Sequence, residues 1–277
     1  MVFEVMRARR LKRQPGTDPP RRKPRSRAGR RTGAWFLGCV VLGALVPGPA
    51  AHAVQHPRVA IIFEHAGSSL ADLRVIYAMR QPFGLGIFPN MRYSAQIVRD
   101  AAAHGLVPIL HLPMEPRNPA DLGPVTGIVW DRMGDAEIAH TVEGDLASVP
   151  GVVGVNNHAG SRATADRRVM AGVLRVVRSH GLWFGENRTT SASVASEVAA
   201  QLGIPTVLIT TYLDNPPVDI DGRVRDLMAT ATRQGWAIGS GHITTGAPEA
   251  VRRLLPEFRR AGIIFVPITE FLSRRAP

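Results

Sequence analysis

The sequence predicts an α/β fold, a (β/α) barrel or close variant of about eight parallel strands in one domain. Two observations carry this. Five stretches of helical character end in a glycine followed at once by an apolar run: Gly105 in IVRDAAAHGLVPIL, Gly181 in VLRVVRSHGLWF, Gly203 in VASEVAAQLGIPTVLIT, Gly235 in DLMATATRQGWAIG and Gly262 in AVRRLLPEFRRAGIIFVPI. Glycine just past a helix takes the left-handed conformation that closes the last turn. The apolar runs are short, continuous and rich in Val and Ile, as strands buried on both faces are. Helix then strand, repeated, is the pattern of a parallel sheet with helices outside it.

Taken in order, strands are expected at 58–63, 83–88, 107–110, 151–156, 182–184, 206–212, 236–240 and 263–266. In a parallel barrel the groups beyond the C-terminal strand ends face the active site. Glu64-His65 follow the first strand, Pro89-Asn90 the second and His111, opening HLPMEP, the third. Asn156-Asn157-His158 end the fourth, and Glu186, Asn187 and Arg188 follow the fifth. Asp214-Asn215 follow the sixth, Gly241-His242 the seventh, and Thr269 and Glu270 the last. Four histidines and several carboxylates converge on one rim.

Neutral imidazole is a good ligand for zinc and related cations, which makes His111 and His158 candidate ligands. Glu64-His65 reads as base plus ligand, or as an ion pair closing a loop. His242, after the glycines of AIGSG, is a candidate general acid or a loop-packing residue. His104 and His180 precede capping glycines, where a cation complements the helix dipole. His140 falls on a solvated helix face. Glu115 either points into the site or braces its loop.

Charge is concentrated at the N-terminus. The chain of 277 residues has a net charge of +12, yet residues 1–31 hold 12 Lys and Arg against two acids. The other 246 residues carry 22 basic and 20 acidic groups, which excludes a basic nucleic-acid-binding body. After Arg30-Arg31 comes the apolar AWFLGCVVLGALV (34–46), then PGPAAHA ending in a small-x-small pattern at Ala51-His52-Ala53. This order reads as a secretory signal. Thirteen apolar residues are short of the ~20 a membrane span needs, although an uncleaved anchor through 34–46 is the competing reading. Residues 1–53 are therefore a leader and 54–277 an exported domain, in the periplasm or cell envelope. Cys39, the one cysteine, lies in the leader, so the exported domain has neither disulfide nor cysteine metal cluster.

These motifs resemble the divergent polysaccharide deacetylase family of bacterial exported proteins, distant relatives of the NodB-homology deacetylases. HLPMEP (111–116) looks like the family's sequence unchanged, and GVNNHAGSR (154–162) differs in Ala159, where Met is typical. GENRTTSAS (185–193) looks like the family's Asp-Ser-Arg-Thr segment with two replacements. YLDN (212–215) and AIGSGH (237–242) match weaker motifs, and the resemblance covers about 58–272. It implies a distorted (β/α) barrel of about seven to eight strands and a single divalent metal, often zinc. The implied reaction removes an acyl group from an N-acetylated carbohydrate of the cell envelope. On this likeness His158 and His111 are metal ligands and His242 is the acid. Arg188 and Asp214 match positions that back the site or face the substrate, and Asn156 and Asn157 are candidate substrate-binding residues beside them.

Two departures qualify the match. Where the family has Ile-Asp-Asp-x-Gly, this chain has Phe63-Glu64-His65-Ala66-Gly67. A glutamate at 64 still serves as base, and a histidine at 65 still binds zinc. Where classical deacetylases carry the second histidine of a His-x-x-x-His pair, Arg162 stands, and a guanidinium does not bind a metal. Either the ligands are His65, His111 and His158, or the metal is lost. In the second case the chain is a glycan-binding or structural envelope protein of the same fold.

Overall fold

The computed structural model describes residues 56–215 and 219–272. The leader, its apolar stretch, Cys39 and the boundary expected at residue 54 lie outside them. Among the described residues no helix is long and apolar enough to cross a membrane.

Strands and helices alternate as β1 (Arg58–Ala66), α1 (Arg74–Met79), β2 (Gly84–Ile87), α2 (Ser94–Ala103), β3 (Val107–Met114), α3 (Asp135–Ser148) and β4 (Gly154–Ala159). Then come α4 (Arg167–Ser179), β5 (Trp183–Glu186), α5 (Ala195–Gln201), β6 (Thr206–Leu208), β7 (Thr211–Tyr212), α6 (Ile220–Gln234), β8 (Trp236–His242), α7 (Ala247–Arg260) and β9 (Ile264–Phe265). Every pairing is parallel, in the order β6-β5-β4-β3-β2-β1-β8-β7, and β9 joins the start of β1. The predicted distorted barrel with helices around it is the fold observed. The segment expected as one strand, 206–212, changes partner midway. The Ile209 amide donates to the Glu186 carbonyl of β5, and the Thr210 amide to the Ile238 carbonyl of β8. One extended segment thus brings the two edges of the curled sheet together.

The five predicted caps are left-handed, with φ of 69°, 66°, 69°, 84° and 67° at Gly105, Gly181, Gly203, Gly235 and Gly262. Side chains of the strands divide by the period of two. Val59, Ile61 and Phe63 of β1, Leu110 and Leu112 of β3, Val155 and Phe184 pack outward under the helices. Ala60, Ile62, Ile109, Trp183, Val207 and Ile238 form a second apolar cluster that fills the inside of the curl. Gly154 gives the Trp183 indole its room, because a Cβ there would overlap the ring.

The strands that build the site run past their apolar stretches: β1 to Ala66, β3 to Met114, β4 to Ala159 and β8 to His242. Residues expected just beyond strands are therefore inside them, because ladder pairing continues wherever inward polar groups satisfy one another. The opposite correction applies at 151–153. Gly151 turns with φ 102°, β4 starts only at Gly154, and Val153 is 43% exposed rather than buried.

Asp145 of α3 is buried beneath the loop that follows β2. It accepts a hydrogen bond from Asn90 Nδ2 at 2.8 Å, while its Oδ2 has no partner among the described residues. Burial pushes its carboxyl up from 3.8 to about 7. The folded state then binds a proton that the unfolded chain releases, so the contribution of Asp145 to stability is greatest below about pH 4 and falls as pH rises to about 7. Thermal melts across that window should show the decline. Asp145→Asn, which keeps an acceptor for Asn90 and removes the charge, should flatten it.

Candidate functional site

A bulge in β1 creates the site. Successive residues of a regular strand point to opposite faces, so Glu64 and His65 would not share one. Here the register against β2 shifts between Phe63 and Ala66, and His65 takes φ 72°. Both side chains now face inward. Glu64 continues the inward row of Ala60 and Ile62, and His65 enters among the other histidines. Its ring stacks on Phe88 at 4.8 Å between centroids and lies 4.0 Å from the ring of His242.

Period two brings in the rest. His111 follows Ile109 on β3, Asn156 and His158 alternate on β4, and His242 follows Ser240 on β8. Register pairs His111 with Asn156 and Glu64 with His242. The donors of His65, His111 and His158 all lie within 4.8 Å of one another.

The hydrogen-bond network assigns the tautomers. Asn156 Nδ2 donates to Glu64 Oε1 at 2.6 Å, so its Oδ1 is left to accept from His111 Nδ1–H at 3.0 Å. The lone pair of His111 is then on Nε2, which is buried and has no partner among the described residues. His158 Nε2–H donates to the Leu122 carbonyl at 3.0 Å, which leaves the lone pair on Nδ1, 3.2 Å from His65 Nε2. A proton on His65 or a shared cation brings two such nitrogens together. Tetrahedral ligands with bonds of ~2.0–2.1 Å lie about 3.3–3.4 Å apart, close to this spacing. Burial pushes all three rings below the ordinary imidazole range, His65 to about 3. Three neutral donors, one aimed with no other partner, fit a divalent cation.

Beside them is a pair of the opposite tendency. Asp214, buried after β7, accepts from the His242 backbone amide at 2.6 Å and from the Thr245 hydroxyl, and lies 3.2 Å from His242 Nδ1. Burial alone would lower the His242 pKa, but the hydrogen bond and charge of Asp214 override it and hold the ring above its usual range. Burial raises the Glu64 carboxyl despite its bonds to Asn187 Nδ2, at 2.8 Å, and Asn156. Glu64 Oε1 is 3.9 Å from His111 Nδ1, on the side of the ring away from the free Nε2.

The four residues expected at substrate-binding positions are placed differently. Asn156 is wholly buried between Glu64, His111 and Asn187. Asn157 faces away, accepting from the Asn187 amide and donating to the Ala159 carbonyl, and thereby ties β4 to the loop after β5. Asp214 orients His242 through Oδ2, and its buried Oδ1 has no partner among the described residues. Only Arg188, exposed with φ 44°, leaves its side chain free among the described residues. Glu115 braces its loop, accepting from the Asp131 amide at 2.7 Å and pairing with Arg162, which also bridges to Asp131 at 3.0 Å. Glu186 points outward and accepts from the Ser196 amide at the start of α5. His104 stacks on Tyr77, His180 pairs with Glu143, and His140 is exposed on α3.

Sequence reasoning missed Phe88, Asn187 and Thr245. Phe88 touches the rings of His65, His111 and His158. It sat in an apolar run, and only its place at the end of that run hints at the rim. Asn187 was noted after its strand, but without the partner that explains it.

Residues 61–272 match the model of a family described as divergent polysaccharide deacetylase. An uncharacterized protein of Haemophilus influenzae is 28% identical over 205 residues, 72% of each chain. The uncharacterized protein YibQ of Escherichia coli is 26% identical over 187 residues, 67% of this chain and 58% of that one. Among solved structures, an uncharacterized protein of Agrobacterium tumefaciens superimposes with a TM-score of 0.72 at 22% identity, over 80% of this chain and 92% of that one. The catalytic domain of a peptidoglycan N-acetylglucosamine deacetylase from Eubacterium rectale gives 0.51 at 12%, over 83% and 97%. At these identities the two structures speak to fold.

Asp214→Asn should lower the His242 pKa, read from the ring-proton shifts across a pH titration. Asn156→Ala leaves the buried His111 ring N–H without a partner and Glu64 Oε1 with Asn187 alone. It should cost about 1–3 kcal/mol for the unpaired N–H, measured by denaturant unfolding.

Proposed function

Because the chain belongs to the divergent polysaccharide deacetylase family, we propose that it is an exported hydrolase that cleaves the acyl amide of an N-acylated cell-envelope glycan. One observation carries this reading. Three oriented ring nitrogens and the Asp214–His242 pair converge at the C-terminal ends of β1, β3, β4 and β8. The name of the Eubacterium relative, a peptidoglycan N-acetylglucosamine deacetylase, is consistent with the substrate class.

His65, His111 and His158 would hold a divalent cation, which when bound supplies Lewis acidity to the acyl carbonyl and the attacking water. The remaining work falls to the chain. Glu64 stands behind His111, on the side of the ring away from the free Nε2, where its charge backs that ligand. His242, whose pKa Asp214 raises, gives its proton to the departing amine. Arg188 is the cation free to hold the glycan at the rim. The products are a free carboxylate and an amino sugar. Phe88 walls the cluster and keeps the ring edges away from bulk water.

The test is release of acetate and free amine from chitooligosaccharides and peptidoglycan fragments. Turnover should vanish with chelator and in His158→Ala. It should fall about 10²–10⁴-fold in His242→Ala, with KM little changed. Glycan retention without release in the metal-loaded protein would favour the binding reading instead.

A further inference from the structure

We propose that His65 makes this a three-imidazole centre that takes zinc- and cobalt-class cations and discriminates against manganese and magnesium. The inference rests on the metal-site reading above and goes beyond it in assigning one residue the choice of cation.

The donor set is the first ground. Among the described residues, the one group spaced to hold an ion is His65, His111 and His158, with no carboxylate in it. The neighbouring carboxylates lie outside that group. Glu64 Oε1 accepts from Asn156 and Asn187, and Asp214 accepts from His242 and Thr245 through Oδ2, its buried Oδ1 having no partner among the described residues. All three protein ligands are therefore neutral nitrogens. Imidazole suits zinc, cobalt and their neighbours, whereas magnesium and manganese favour carboxylate, carbonyl and water oxygens. Replacing one oxygen anion by nitrogen costs a hard cation more than a borderline one.

The second ground is that His65 has little freedom to withdraw. Its backbone is fixed by the bulge, and its ring lies between Phe88, 4.8 Å away, and His242, 4.0 Å away. With His158 Nδ1 at 3.2 Å, its Nε2 is committed to the cluster. The same backbone makes a clean variant available. Positions at φ 72° favour Asn, Asp and His over other non-glycine residues, so Asp fits there without new strain.

The test is equilibrium competition on the full-length apo protein, with zinc, cobalt, manganese and magnesium salts and metal content read by elemental analysis. Wild type should retain one equivalent of zinc or cobalt and bind manganese at least roughly a hundredfold more weakly. His65→Asp should narrow the zinc-to-manganese ratio by roughly tenfold or more. The visible bands of the cobalt form, intense in a tetrahedral nitrogen site, should shift in the same variant. His111→Ala should lose the equivalent, which separates this site from binding elsewhere on the chain. If wild type retains no cation, the metal reading itself falls. If it retains cations with a ratio that His65→Asp leaves unchanged, or takes manganese as readily as zinc, the metal reading stands and the selector role is overturned.

Discussion

The amide of Asn156 couples three buried polar groups of the interior, Glu64, His111 and Asn187. Its oxygen accepts from His111 and so decides which nitrogen of that ring carries the lone pair. Its nitrogen donates to Glu64 and contacts Asn187, so the buried carboxylate is solvated by amides in place of water. Desolvating an unpaired carboxylate is costly, and that cost disappears only while both asparagines hold their orientation. Asn187 in turn is anchored through its own backbone to Asn157, on the outward face of the same strand. Consecutive asparagines on β4 thus perform different tasks on opposite faces. One organises the chemistry, and the other fixes the loop that delivers the first one's partner.

A second constraint is geometric. The two-residue alternation of β3, β4 and β8 alone places His111, Asn156, His158 and His242 on the inward face. Glu64 follows the same rule, but His65 does not. It reaches the site only because β1 bulges, and the bulge leaves His65 in a left-handed conformation that most residues resist. The apolar floor of Ile62, Ile109, Trp183 and Ile238 below, with Phe88 at the side, makes the pocket dry enough for charge to matter. In that setting Asp214 raises the pKa of His242 while burial lowers those of the other three rings. Four imidazoles a few ångströms apart thereby have opposite tendencies to hold a proton.

The fold was legible because its signals are local. A glycine after each helix and a Val- and Ile-rich run after each glycine need no knowledge of tertiary contacts. The rim was legible for the same reason, since HLPMEP, NNHAGSR and the histidine of AIGSGH mark strand ends. What was not legible was direction. Asn156 and Asn157 were expected at substrate-binding positions, and both spend their hydrogen bonds on the protein. Nothing in one sequence shows which of two adjacent polar residues faces inward once strands extend past their apolar runs. Nor does it show that 206–212 divides between two neighbours. Partner exchange depends on where the sheet closes, which is set by the whole barrel.

The replacement of two aspartates by Glu64 and His65 looks, in the sequence, like the loss of a centre. The geometry argues for relocation. The bulge at position 65 demands a residue that tolerates positive φ, and histidine meets that demand as aspartate does. The side chain it carries brings a nitrogen to 3.2 Å from His158, so the number of donors is conserved while their charge is not. The missing negative charge reappears one layer back. The longer Glu64 keeps its carboxylate inward but behind His111, and Asp214 stands behind His242. Arg162, which takes the place of a histidine in classical deacetylases, is drawn away to Asp131 and Glu115 and adds no positive charge to the cluster. Donors on β1, β3 and β4, fixed by sheet register and one bulge, thus converge without any loop having to choose their positions. The chemistry of one ligand can change while the site that holds it does not.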